Sequence, residues 1–84
     1  MYQFIWDLDD DPDGNSQHIA EHGVTKEEVE AIIESPLGME TSRSSGRLIY
    51  FGYTAEGRLL AVVFELADED TVYPVTAYFP EESP

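Results

Sequence analysis

The sequence predicts an α+β fold: two N-terminal helices packed on one face of an antiparallel sheet of about four strands. Three observations predict it. Residues 24–36 hold a complete helix start, an apolar stripe and a proline stop. Residues 47–79 read as long β-favouring runs separated by short polar turns. The chain has 84 residues, which suits a single core and leaves no room for a second domain or a deep buried cleft. One domain is expected over 1–80, with a short acidic tail at 81–84.

The elements follow in order. Tyr2-Gln-Phe-Ile-Trp6 is aromatic and β-favouring, so a first strand is expected there. Asp7 to Gly14 is an acidic, turn-rich loop whose like charges resist regular structure. Asn15 or Ser16 is placed to cap a short helix over about 16–22, and Gly23 stands where a left-handed residue ends it. A second helix is expected over about 25–35. Thr25 and Glu28 form a capping box, and Val24 and Val29 occupy the positions of a hydrophobic staple. Glu27 and Glu28 lie at the positive end of the helix dipole. Val29, Ile32 and Ile33 give one apolar face, and Pro36 ends the helix by restricting Ser35.

Three strands should follow, at 47–54, 58–66 and 71–79, with a short one at 39–42 before them. Ser44-Ser45-Gly46 and Ala55-Glu56-Gly57 are the turns on either side of the first. Leu60, Val62, Phe64 and Leu66 line one face of the second strand. Leu59, Ala61 and Val63 line the other, which predicts a central strand covered at least in part on both sides. Pro74 removes a ladder donor, so the last strand is expected at an edge or with its Pro74 side unpaired. The tail from Pro80 should fray.

Composition excludes several classes. No cysteine is present, so no disulfide framework or thiolate site is possible. The first residues lack the basic and apolar regions of a signal peptide, and no apolar run approaches the roughly 20 residues that span a bilayer. A cytoplasmic protein that stays off membranes is expected. The formal net charge is −14, with Lys26, Arg43, Arg47 and Arg58 the only lysines and arginines. Such a surface repels nucleic acid and favours a basic partner. Adaptation to a salty cytoplasm and plain solubility are the other readings of the same charge.

Four groups of residues carry possible chemistry. Asp9, Asp11, Asp13 and Gly14 match the start of a calcium loop, but its twelfth position is Ala20 and no helix precedes it. A solvated acidic turn is the plainer reading. His18-Ile-Ala-Glu-His22 spells an inverted zinc-peptidase motif, yet Gly23 ends the helix at once and no large cleft is expected. The plainer expectation is that the two histidines pack against the sheet and hydrogen-bond locally. No metal or other cofactor is expected. Arg43, Arg47 and Arg58 fall within sixteen residues and either form an electropositive spot or pair with nearby carboxylates. Tyr50, Phe51, Tyr53, Tyr73, Tyr78 and Phe79 either complete a core or mark a protein-binding face.

A family resemblance emerges from the order of these segments. Phe4-Ile-Trp-Asp7 is followed by His18-Ile-Ala-Glu-His-Gly-Val-Thr25 and Glu27-Glu-Val29. Gly52-Tyr-Thr54, Gly57-Arg-Leu-Leu-Ala-Val-Val63 and Val75-Thr-Ala77 complete the series. Together they resemble the BrnT family of bacterial toxins, small proteins with a RelE-like ribonuclease fold. The resemblance implies a type II toxin–antitoxin system, in which a metal-independent endoribonuclease cuts messenger RNA and a partner antitoxin neutralises it. It also implies electrostatic catalysis by basic and polar groups. Arg58 would stabilise the transition state with help from Arg47, and His22 and Tyr78 would be the candidates for proton transfer.

The chain departs from the family pattern where activity is concerned. Tyr78 stands where the family's last strand carries an arginine, and Glu81 and Glu82 replace basic residues. Glu21 replaces the basic residue common before His-Gly. The expectation is a toxin-superfamily protein whose ribonuclease activity is weak or lost, with weak RNA binding at most. Its partner would be a cognate antitoxin or other basic protein. The alternative is a non-enzymatic acidic module that docks a basic protein.

Overall fold

A computed structural model describes residues 1–82. In chain order, its elements are strand β1 (Gln3–Phe4), helices α1 (Asn15–Glu21) and α2 (Lys26–Glu34), and strands β2 (Gly38–Thr41), β3 (Leu48–Tyr53), β4 (Leu59–Asp68) and β5 (Thr71–Tyr78). A 3-10 turn, Pro80–Glu82, closes the described chain where fraying was expected; residues 83 and 84 lie outside it.

The fold is α+β, but its sheet has five strands and is mixed. The order is β1-β5-β4-β3-β2. The pairs from β2 to β5 are antiparallel, whereas β1 runs parallel to β5, with Gln3 opposite Thr71 and Phe4 opposite Val72. This corrects the expected antiparallel sheet of about four strands. The added strand is held by the Gln3 and Ile5 N–H groups, which donate to Asp70 O at 2.8 Å and Val72 O at 2.9 Å. Pro74, with no N–H to offer a neighbour, limits how far that ladder runs. The Asn15 amide occupies the gap instead, donating to Ile5 O at 2.9 Å and Pro74 O at 2.8 Å. The β1 ladder therefore stops at Phe4, short of the expected Trp6. Strand β5 is not an edge strand, since it lies between β1 and β4, but its Pro74 side lacks a strand neighbour, which was the other arm of the expectation. The register shift between Val63 and Phe64 takes up the irregularity beside Pro74.

Both helices contribute to one apolar core. Ile19 and Val24 come from the α1 side, Val29, Ile32 and Ile33 from α2, and Leu60, Val62, Phe64, Val72, Ala77 and Phe79 from the sheet. Burying each such aliphatic side chain contributes about 1.5–3 kcal/mol against the entropy of ordering the chain. Tyr50 meets Phe64 edge to face, with ring centroids 4.7 Å apart. Gly52 lets α2 approach β3: a Cβ there would lie 3.1 Å from Ile32 Cγ1. The segment around β1 is tied to α2 by polar contacts. Tyr2 N–H donates to Glu34 Oε2 at 2.9 Å, and Trp6 Nε1–H to Glu30 Oε2 at 2.8 Å.

The reverse face of the sheet carries neither helix. Ala61 is fully buried there by its neighbours on the sheet, while Ile49, Phe51, Val63 and Tyr78 are half-exposed. Coverage of β4 on its second side is thus only lateral. Among the described residues, no helix is long and apolar enough to cross a membrane.

Candidate functional site

Strand pairing decides where the four predicted catalytic residues stand. Arg47 precedes β3, and its neighbour Leu48 packs against the core, so Arg47 turns to the reverse face. Its Nε lies 3.4 Å from Glu65 Oε2, an ion pair in which that nitrogen is shielded from water and makes no hydrogen bond. Arg58 precedes β4 and belongs to the helix-bearing face. Its guanidinium stacks on Phe79, with Cζ 3.7 Å from the ring centroid. Its backbone closes the hairpin, receiving the Thr54 N–H at 2.9 Å and donating to Thr54 Oγ1 at 3.2 Å.

Tyr78 stands opposite Ala61, half-buried on the reverse face. His22 is the exposed C-cap of α1, donating its backbone N–H to Ile19 O at 3.1 Å. The four are not brought to one point. Arg47 sits beside Glu65 and Arg58 beside the first residue of β4, roughly 20 Å apart along a strand and on opposite faces. Arg58 and Tyr78 are closer along the sheet but also on opposite faces. Arg43 is exposed in the turn before β3.

The acidic loop is organised by contacts to the protein itself. Lys26 Nζ pairs with Asp9 Oδ1 at 2.7 Å and also lies 5.6 Å from the centre of the Trp6 ring. Asp11 Oδ1 accepts the Asp13 N–H at 3.0 Å, and the Gln17 amide donates to the Asp9 carbonyl. Among the described residues, no three histidine or acidic side chains gather as metal ligands would.

Asp7 belongs instead to a buried knot that sequence reasoning missed. Its Oδ2 accepts the Asn15 backbone N–H at 2.9 Å and the Tyr73 hydroxyl at 2.8 Å. Asn15 Oδ1 returns the contact by accepting the Asp7 N–H at 2.8 Å, and Ser16 Oγ–H donates to Asp7 O at 2.7 Å. The Asn15 N–H holds the Asp7 carboxyl below its ordinary pKa, with help from the Tyr73 hydroxyl and the charge of His18 against a desolvation that works the other way. Tyr73 is pushed above its ordinary value chiefly by its hydrogen bond to Asp7, then by burial. These hydrogen bonds tie the acidic loop, the start of α1 and β5 to one another, which is a structural role.

A groove of about 510 Å³ lies open to solvent between α2 and the end of β3. Ala31, Ile32, Leu37, Gly52 and Tyr53 give it an apolar lining, and Glu27 and Glu28 stand at its helical wall. Leu37 is 74% exposed and Tyr53 58%. Leu37 is fixed there by donating its N–H to Phe51 O at 2.8 Å. Among the described residues no lysine, arginine or histidine lines the groove. The volume lies in the range of small-ligand and side-chain pockets. The sequence signal for it is Leu37, a lone large apolar residue between Pro36 and Gly38.

Comparisons with protein-family models, with curated proteins and with solved structures find no significant match.

Proposed function

We propose that this chain works by docking a basic protein, as a BrnT-like member of the toxin superfamily whose ribonuclease activity is weak or lost. The observation that carries the reading is its charge. Eighteen acidic residues face four lysines and arginines. Three of those four already have partners: Lys26 with Asp9 and Trp6, Arg47 with Glu65, and Arg58 with Phe79. A phosphodiester backbone needs several cations to replace its counterions, whereas a basic protein meets complementary charge wherever it lands. The scatter of Arg58, Arg47, His22 and Tyr78 supports the same reading, because electrostatic catalysis requires donors converging on one developing charge. The resemblance makes a cognate antitoxin the natural basic partner and the cytoplasm the place of encounter, and the reading needs no metal or cofactor.

The test is expression toxicity together with cleavage of a mixed messenger RNA pool at low salt. Little growth arrest and little cleavage are expected. Any residual cleavage should disappear in Arg58→Ala and return only in part in Arg58→Lys, since the planar fork is lost. Strong cleavage by the unaltered chain would return it to the active ribonucleases.

A further inference from the structure

We infer that the groove between α2 and β3 is the docking site for a short segment of that basic partner, one that presents a single apolar side chain flanked by lysine or arginine. The inference rests on the reading of the chain as a docking module and adds the place and the chemistry. Two surfaces compete for the role. The reverse face of the sheet is broad, but apart from Tyr53 at its end its apolar residues Ile49, Phe51, Val63 and Tyr78 are half-buried. Its charge is mixed as well, because Arg47 and Glu65 stand on it as a pair.

The groove differs on both counts. It is concave, and at its rim stands Leu37, one of the most exposed large apolar side chains among the described residues. Its floor is fixed from both sides. The close packing of Ile32 on Gly52 sets the depth, and the Leu37 N–H bond to Phe51 O sets the far wall. Little ordering is therefore needed when an occupant enters, which favours affinity.

Charge identifies the occupant. Glu27 and Glu28 line the groove, and Glu56 follows its last lining residue, Ala55. The nearest basic side chains in sequence point elsewhere: Lys26 lies over Trp6 with Asp9, and Arg58 lies over Phe79. An apolar side chain entering with acidic neighbours would meet repulsion. The same side chain between cations would meet complementary charge at the rim and an apolar lining beneath. An anchor in a pocket with a charged rim is a recurrent division of labour, the anchor supplying affinity and the rim supplying rate and selectivity.

The experiment uses the full chain, isotope-labelled, titrated with short synthetic peptides and followed through its backbone amides. The central residue is Leu, Phe or Gly, and the flanks are Lys and Arg, Ser, or Glu. Leu- and Phe-centred basic peptides are expected to shift the amides of Ala31, Leu37 and residues 52–55. Gly-centred ones should bind about tenfold more weakly for want of the buried anchor. Serine flanks should weaken binding, glutamate flanks should abolish it, and added salt should weaken the basic peptides. Leu37→Glu and Ala31→Arg, both at exposed positions, should each reduce affinity about tenfold or more, while Leu66→Glu should not. An amide spectrum otherwise unchanged shows that the variants fold, and either groove variant suffices for the test.

Two failures are distinct. Basic peptides that shift the reverse face, or acidic residues all over the surface, would overturn the groove and keep the docking reading. No binding by any basic peptide would overturn both. Tight binding of the serine-flanked peptides, equal to that of the basic ones, would overturn the assignment of a basic occupant.

Discussion

The two helices begin in opposite ways. Helix α2 is started by its own neighbours. Thr25 Oγ1 accepts the Glu28 N–H at 3.1 Å, and Glu28 Oε1 accepts the Thr25 N–H at 2.9 Å. Helix α1 has Gly14 at its N-cap, with no side chain to offer. Its first N–H is taken by Asp7, eight residues back, which is itself held by Tyr73, 66 residues ahead. The local box can form as soon as its own turn does. The remote cap exists only when β1, α1 and β5 are already together. Thus α2 is a local element that the sheet receives, whereas α1 is a consequence of the sheet, and damage to the two ends should differ in size and in pH dependence.

The largest effect is expected at Asn15. It is 1% exposed and joins Asp7, Ile5 and Pro74 in four hydrogen bonds, counting its backbone N–H. Asn15→Ala removes three of these and leaves the Asp7 N–H and two carbonyls without partners in a closed site. Buried groups left unmatched each cost about 1–3 kcal/mol, and some regain water, so a loss of about 3 kcal/mol is expected. In a domain of this size that lowers Tm by roughly 12 °C or more. A denaturant melt showing a loss no larger than that of Thr25→Ala would mean that the remote knot is no stronger than the local box.

Gly14 comes next, since it admits Asp7 to the helix end. A Cβ at Gly14 would lie 2.6 Å from Asp7 Cβ, an atom fixed by its own backbone. Gly14→Ala must therefore displace Asp7, at a cost of about 1–3 kcal/mol. Calorimetry of the single and double variants sharpens the point. Asn15→Ala and Gly14→Ala should be less than additive, because each disrupts the same knot.

The difference between the two ends also explains what was readable in the sequence. The capping box, the Val29, Ile32 and Ile33 stripe and the hairpins all rest on residues within a few positions of each other, and all appear in the structure. The parallel β1 pairing, the central place of β5 and the Asn15 wedge depend on contacts between residues 59 or more apart, which no local pattern reports. Residue type suggests Asn15 or Ser16 as the cap of α1, but Gly14 takes that place and Asn15 becomes an amide that replaces a strand neighbour. The candidate site was legible in part. Alternation across the hairpin puts Arg47 with Glu65 and Arg58 with Thr54, so opposite faces follow from the loop length once the register is known. The groove was not legible, because a single exposed leucine is ordinary until the structure sets it beside α2 and Gly52.

The acid limb separates the two ends without a volume change. The folded pKa of Asp7 lies below its ordinary 3.8. Its contribution is therefore complete above 3.8 and is lost as the pH falls through the lower folded value. Tyr73 is raised above 10.0, so the same hydrogen bond persists until the pH climbs past that point. The stability difference between the unaltered chain and Asp7→Asn should be constant near neutrality and shrink in acid below 3.8. Taking the difference cancels the general relief of acidic repulsion. A difference unchanged down to the acid transition would remove Asp7 from the cap.

Thr25 is the smallest case and the control for all the others. Its hydroxyl satisfies one helix N–H, so Thr25→Ala should cost about 1 kcal/mol. Thr25→Ser keeps the oxygen and should recover most of that loss. Because the hydroxyl does not titrate in acid, the Thr25→Ala deficit should not shrink below 3.8 as the Asp7→Asn deficit does. The variant should also leave the Asp7–Tyr73 bond intact, which the tyrosine titration reads directly: its midpoint should stay above 10.0. If Thr25→Ala moved that midpoint toward the ordinary value, the α2 start would be coupled to the α1 knot, and the contrast between a local and a remote helix cap would fail at its simpler end.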